Sequence, residues 1–286
     1  MLMSMDSAIS ALSQFQEALN VTANNIANVN TVGFKSATVN FEDTFSQTIG
    51  AGGSGGSEQV GTGVGTATIS NQFTSGSMAV TGNATDLAIN NSTSSANSFF
   101  IVKDPVSGNT FATQDGSFNV DNNGYLVTST GLRVQGYTSL NPNTLGDIKI
   151  DNAGATTTVN GVVTTDTSAV KSFAFGSDGT LTITQADGNT FQRGQVLLQN
   201  FTSPQNLVKA GNNLFTSLSS AGPQTTLVVP GQSGSGTIVA GSLEMSNVNL
   251  ANELTSLITT QRAYEANSKV ITTSDDILQT LVNLKR

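Results

Sequence analysis

The side chains able to do covalent or acid–base chemistry are few: 19 Asp and Glu and 11 Lys and Arg among 286 residues, with no His and no Cys. Without thiols there are no disulfides and no thiolate metal sites; without imidazole the commonest proton carrier and metal ligand is gone. What remains is a carboxylate pair of the glycosidase kind or a Ser–Lys arrangement, and no nucleophile stands beside a base in any recognisable motif. Asp121-Asn122-Asn123-Gly124 and Asp187-Gly188-Asn189 resemble fragments of calcium loops. Neither continues with ligands at alternate positions and a closing Glu, so both read as turns held by Asx side chains. The Gly/Ser tract at 50–57 lacks the Lys and the strand–loop–helix setting of a phosphate cradle, and reads as a linker. No catalytic residue, metal site or cofactor is expected.

With so little chemistry to position, the elements at the two ends become the informative ones. Met5, Leu12, Leu19 and Ile26 recur seven apart, with Ile9 at a companion position. At the opposite end Leu250, Leu257, Tyr264, Ile271 and Leu278 repeat the spacing, with Leu254 and Val282 as companions. Seven-residue apolar spacing marks one seam of a helix that packs on another helix. The remaining companions, Gln261, Ser268 and Asp275, are polar, which weakens a seam while restricting its register. Isolated helices are marginal in water, so each seam needs a partner, and the two termini are predicted to pair. Asn247 or Asn249 is placed to cap the second helix.

Between the helices the period changes. Phe41, Phe45 and Ile49 stand at steps of four and suggest a short helical or extended arm before the Gly-rich linker. From about residue 66 short apolar–polar runs alternate with turns, and Asp115-Gly116, Asn123-Gly124 and Asp187-Gly188 are hairpin signals. Ser98-Phe99-Phe100-Ile101-Val102 is apolar enough to be a central strand of an antiparallel meander. The fold class expected is α+β. Residues 1–30 and 247–286 form a helical, coiled-coil-like domain, 31–68 an arm or linker, and 69–246 a central antiparallel, mostly-β domain.

The net charge of −8 argues against nucleic acid and anionic membrane surfaces as partners. The N-terminus has no basic region and no continuous apolar core, so a cleaved secretory signal is not expected, and no apolar run is long enough for a membrane span.

The first helix closes on Ala23-Asn24-Asn25-Ile26-Ala27-Asn28-Val29-Asn30-Thr31-Val32-Gly33-Phe34-Lys35. This stretch resembles the signature of the axial proteins of the bacterial flagellum, carried here by Asn24, Asn25, Ile26, Asn28, Thr31, Gly33, Phe34 and Lys35. Glu244-Met245-Ser246-Asn247-Val248-Asn249-Leu250 with Gln261-Arg262-Ala263-Tyr264-Glu265-Ala266-Asn267-Ser268 is similar to the second hallmark of that family. Asp115-Gly116-Ser117-Phe118, Asn123-Gly124-Tyr125-Leu126-Val127 and Gly211-Asn212-Asn213-Leu214-Phe215 fit its β-segments.

The resemblance implies a structural, non-enzymatic subunit whose terminal helices pair in an inner layer around an export channel. It implies a helical homopolymer whose partners are itself, other axial proteins (rod, hook cap, hook–filament junction) and the flagellar type III export apparatus. Its place would be the hook or basal body at the cell surface, reached without a cleaved signal. Leu132-Arg133-Val134-Gln135-Gly136-Tyr137 and the ending at 276–284 look most like a hook subunit, a torque-transmitting universal joint. Residues 151–170 would then be a remnant or loop where longer hook proteins carry an outer inserted domain. The alternative is the distal rod, a drive shaft, whose length this chain approaches and whose extra loop segment 46–62 resembles. A secreted adhesin would carry its coil on one continuous stalk, and a β-fold glycosidase would need a carboxylate pair in a cleft; neither pattern is present.

Overall fold

A computed structural model describes residues 2–50, 58–91, 97–140, 143–152, 156–159, 162–165, 168–223 and 227–284. The chain forms two compact units, one of Met1–Val29, Ser36–Gln72 and Val248–Arg286, the other of Asn30–Lys35 and Phe73–Asn247.

In the first unit α1 (Leu2–Ala27) and α2 (Leu250–Leu284) pack on each other. At 1.5 Å per residue α2 is roughly 50 Å long. Asn249 caps it, its Oδ1 accepting from the amides of Ala251 at 3.1 Å and Asn252 at 3.2 Å. Neither Gly nor Pro interrupts the helix. Thr255, Thr260, Thr273, Ser274 and Thr280 instead turn their hydroxyls inward to donate to carbonyls four residues back, at 2.8–2.9 Å.

The third component of this unit takes the extended, not the helical, form of the arm. β1 (Ala37–Asp43) and β4 (Val64–Asn71) form an antiparallel ladder with a register shift between Asn40 and Phe41. β2 (Ser46–Gly50) and β3 (Glu58–Gly61) extend it as a second pair. Thr38, Val39, Thr66, Thr68 and Ile69 supply β-branched side chains to both limbs, and these suit a pleated surface better than a helix. Residues 51–57 of the Gly/Ser tract lie outside the described residues. The ladder covers one side of α1: Phe15 meets Phe41 edge to face at 6.0 Å, and the amide of Val64 donates to Ser10 Oγ at 3.4 Å.

The second unit is mostly antiparallel β, with one short 3-10 turn at Pro204–Asn206. Its main sheet runs in the order Val170–Phe175, Thr180–Gln185, Thr190–Val196, Arg133–Leu140, Ser98–Lys103, Thr110–Thr113, Leu214–Thr216, Val208–Gly211. Ser98–Lys103 lies inside this order, and its alternate residues feed two cores. Phe100 and Val102 join Leu126, Val134, Leu181, Ile183 and Val196 on one side; Phe99 and Ile101 join Phe73, Ala112, Phe201 and Phe215 on the other. A strand buried on both faces needs an unbroken apolar run, which is what the sequence has there. The order is not a plain meander, however. Arg133–Leu140 inserts between Thr190–Val196 and Ser98–Lys103, and the consecutively wound stretches of the order are 170–196, 98–113 and 208–216. Thr156–Val159 and Val162–Thr165 form a separate two-stranded hairpin. Two short pairs close the unit: Thr237–Ala240 on Leu87–Asn90, and Ser242–Glu244 on Met78–Val80.

Candidate functional site

The signature divides between the two units. In the helical unit it supplies the end of α1. Asn28 bridges back along the exposed side, its Nδ2 donating to Asn24 O at 2.9 Å and Asn24 Oδ1 at 2.8 Å. Asn25, one residue round the helix, is 2% exposed. Its Oδ1 accepts from the amide of Ala37 at 3.0 Å, and its Nδ2 donates to Ala37 O at 2.9 Å and to Glu253 Oε1 at 3.1 Å. The amide thus pairs with Ala37 as a neighbouring strand would, while holding the first turn of α2. Glu253 sits where the positive end of the helix dipole favours a carboxylate. Even so, burial pushes its carboxyl above the ordinary glutamate range, with the Asn25 hydrogen bond opposing the shift.

In the β unit the residues 30–35 dock as a short loop. Val32 O accepts from Asn213 Nδ2 at 2.7 Å, and the amide of Gly33 donates to Glu244 O at 2.8 Å. Gly33 has φ +67°, and a Cβ there would lie 2.7 Å from the backbone nitrogen of Asp115, so both conformation and space demand glycine. Phe34 is buried, with Lys209 Nζ 4.6 Å from its ring centroid. Lys209 Nζ also donates to Lys35 O at 3.0 Å, and burial lowers its pKa. Lys35 is fully enclosed: Nζ lies 2.8 Å from Glu244 Oε1 and 2.9 Å from Thr74 O.

The helix seams behave unequally. On α1 the buried positions are Ala8, Thr22 and Asn25, whereas Met5, Leu12, Leu19 and Ile26 are half-buried and Ile9 is exposed. Small residues let the neighbouring elements approach closely, so they rather than the large apolar ones go under cover. On α2 Leu257, Ile271 and Leu278 are half-buried, while Leu250, Leu254, Tyr264 and Val282 are exposed. Ile258, Ile277, Leu281 and Leu284 add to that apolar surface, the last at 79% exposure. A pair of helices with this much apolar area in water is unfinished as a fold.

Glu244, Glu253 and Lys209 were not singled out by spacing. The signal that could have found them is compositional: in a chain with so few charges, a lone Lys closing an apolar motif calls for an opposite charge somewhere. Asp121 and Asp187 hold turns, their carboxylates accepting from Asn123 N at 2.8 Å and Asn189 N at 3.1 Å. Among the described residues no three His, Cys, Asp or Glu side chains gather where they could hold a metal ion. Among the described residues no helix is long and apolar enough to cross a membrane.

A docked signature loop, a paired set of terminal helices and an antiparallel β body make up an α+β fold. Three family patterns match along it: "Flagella basal body rod protein" over residues 5–35, "Flagellar hook protein FlgE/F/G D1 domain" over 95–183, and "Flagellar basal body rod FlgEFG protein C-terminal" over 239–284. The flagellar basal-body rod protein FlgG of Bacillus subtilis (strain 168) is 41% identical, the alignment covering 100% of both chains. That of Borreliella burgdorferi is 35% identical over 98% of this chain and 97% of its own. The flagellar hook protein FlgE of the same spirochaete is 26% identical across 449 aligned positions covering both chains, so it carries long segments with no counterpart here. This chain belongs to the FlgE/F/G family of flagellar rod and hook axial proteins.

Proposed function

We propose that this chain is a structural subunit of the flagellar rod, its distal, drive-shaft portion, and that it has no enzymatic role. The observation that carries the assembly reading is the row of exposed apolar residues on α2, beginning at Leu250, Leu254 and Ile258. Such a row is covered when equivalent helices of other copies pack beside it, giving a helical homopolymer. Other axial proteins and the type III export apparatus are its further partners. Localisation follows as the flagellar basal body.

The motifs at 132–137 and 276–284 favoured the hook. Length and similarity favour the rod, since rod relatives align end to end without a large insertion and the hook relative does not. Purified chain concentrated and viewed by electron microscopy is expected to give straight tubes of helical symmetry. Discrete oligomers would overturn assembly into a shaft, and tubes that curve would return the reading to the hook.

A further inference from the structure

We propose that the buried Lys35–Glu244 pair is a clamp at which all four passages of the chain into the β unit are tied, so that they hold or release as one. The backbone passes between the two units at 29/30, 35/36, 72/73 and 247/248. Every one of these points lies within six residues of a group bound to this pair. Lys35 itself precedes the second passage. Thr74 O, which accepts from Lys35 Nζ, and the amide of Gly76, which donates to Glu244 Oε1 at 2.8 Å, follow the third. Glu244 precedes the fourth, and its backbone oxygen takes the amide of Gly33, three residues into the loop that the first passage opens. Around them the amide of Met245 donates to Ser77 O at 2.8 Å, and Asn247 Nδ2 reaches Thr74 Oγ1 at 2.9 Å.

The electrostatics make this arrangement all-or-none. The two charged side chains are 0% and 1% exposed. A buried pair of this kind adds little net stability over an apolar pair, yet parting it leaves an uncompensated charge out of water. Oε1 of Glu244 takes both Lys35 and Gly76, while Oε2 is buried with no hydrogen-bond partner among the described residues, so both anchoring bonds depend on one oxygen. Gly76 is held equally tightly, since a Cβ there would lie 1.9 Å from Met245 O. Withdrawal of the loop that carries Lys35, or of the stretch that carries Glu244, strands the opposite charge, and withdrawal of 74–76 takes a buried hydrogen bond from each member of the pair. This is a property of the β unit by itself and stands whether or not the chain builds a rod.

Native-state hydrogen exchange on the full chain tests it. In the unmodified protein the amides of Gly33, Gly76 and Met245 should share one opening equilibrium, distinct from that of the Ile148 amide bonded to Val134 O in the core. Lys35→Met should speed all three by a common factor of about 100 or more and leave Ile148 unchanged. Lys35→Met/Glu244→Met, which removes both charges, should retain the fold but let the three amides open at separate rates. Unequal openings in the unmodified chain, or a Lys35→Met effect confined to Gly76, would overturn the clamp, as would a double variant in which the common opening persists.

Discussion

Asn25→Ala is the sharpest test of the helical unit. The substitution removes one buried amide and with it three hydrogen bonds, two to the backbone of Ala37 and one to Glu253. Each buried backbone group left without a partner costs about 1–3 kcal/mol, and a hydrogen bond to a charged group is worth about 1.5–3 kcal/mol before solvent discounts it. Glu253 is only half-buried and the small space left by the amide admits water, so a loss of about 3 kcal/mol is expected. Urea unfolding followed by far-UV ellipticity measures it, because the helices dominate that signal. Asn25→Asp separates the contributions. Its carboxylate can still accept from Ala37 N, but it turns a second negative charge toward Ala37 O and Glu253, so at neutral pH it should be no more stable than the Ala variant. Acidification should recover part of the loss as the two carboxylates take up a proton. A loss under about 1 kcal/mol for Ala, or an Asp variant as stable as the unmodified protein, would refute the role given to this residue.

Glu253→Gln keeps the acceptor for Asn25 and removes the buried charge. Because the folded-state pKa of Glu253 is raised, the native protein loses stability as pH climbs from the ordinary glutamate range through that raised value; the Gln variant should show a flatter pH–stability profile and a higher midpoint at neutral pH. Gly33→Ala combines a left-handed conformation, costing about 1–2 kcal/mol, with a contact at 2.7 Å, and should destabilise the β unit well beyond Gly131→Ala. Gly131 has φ +83° but nothing within 4 Å of the added carbon, so the difference in thermal midpoint between the two variants reads the crowding alone. Leu254→Glu and Leu281→Glu alter side chains 44% and 48% exposed, and should shift the monomer's midpoint by no more than about 2 °C while preventing assembly in sedimentation experiments.

The parts of this fold that were legible in the sequence are those set by local rules. Asn249 caps α2 as its type and place suggest. Gly124 and Gly188 take positive φ in Asx-held turns, and the run from Ser98 to Val102 occupies the interior of the sheet because it is apolar on both faces. The arm was ambiguous because Phe41 and Phe45, four apart, fit either period, and the choice was made by a ladder partner more than twenty residues away. Burial on α1 follows a different rule. Apolarity marks surface that wants covering, but Ala8 and Thr22 lie deepest because close approach favours small side chains. The Lys35–Glu244 pair had no local pattern at all, since its members are 209 residues apart and only the docked loop brings them together.

The inward-turned hydroxyls of α2 have a mechanical meaning. A carbonyl that accepts a side-chain donor besides its backbone amide holds that amide less tightly, and the helix opens slightly on that side. Five such places are spread from Thr255 to Thr280, with no proline or glycine to gather the bending into one kink. Compliance is therefore distributed along most of the helix. Under an alternating load, strain would be shared over many small openings, with no single hinge at which the helix would fail first.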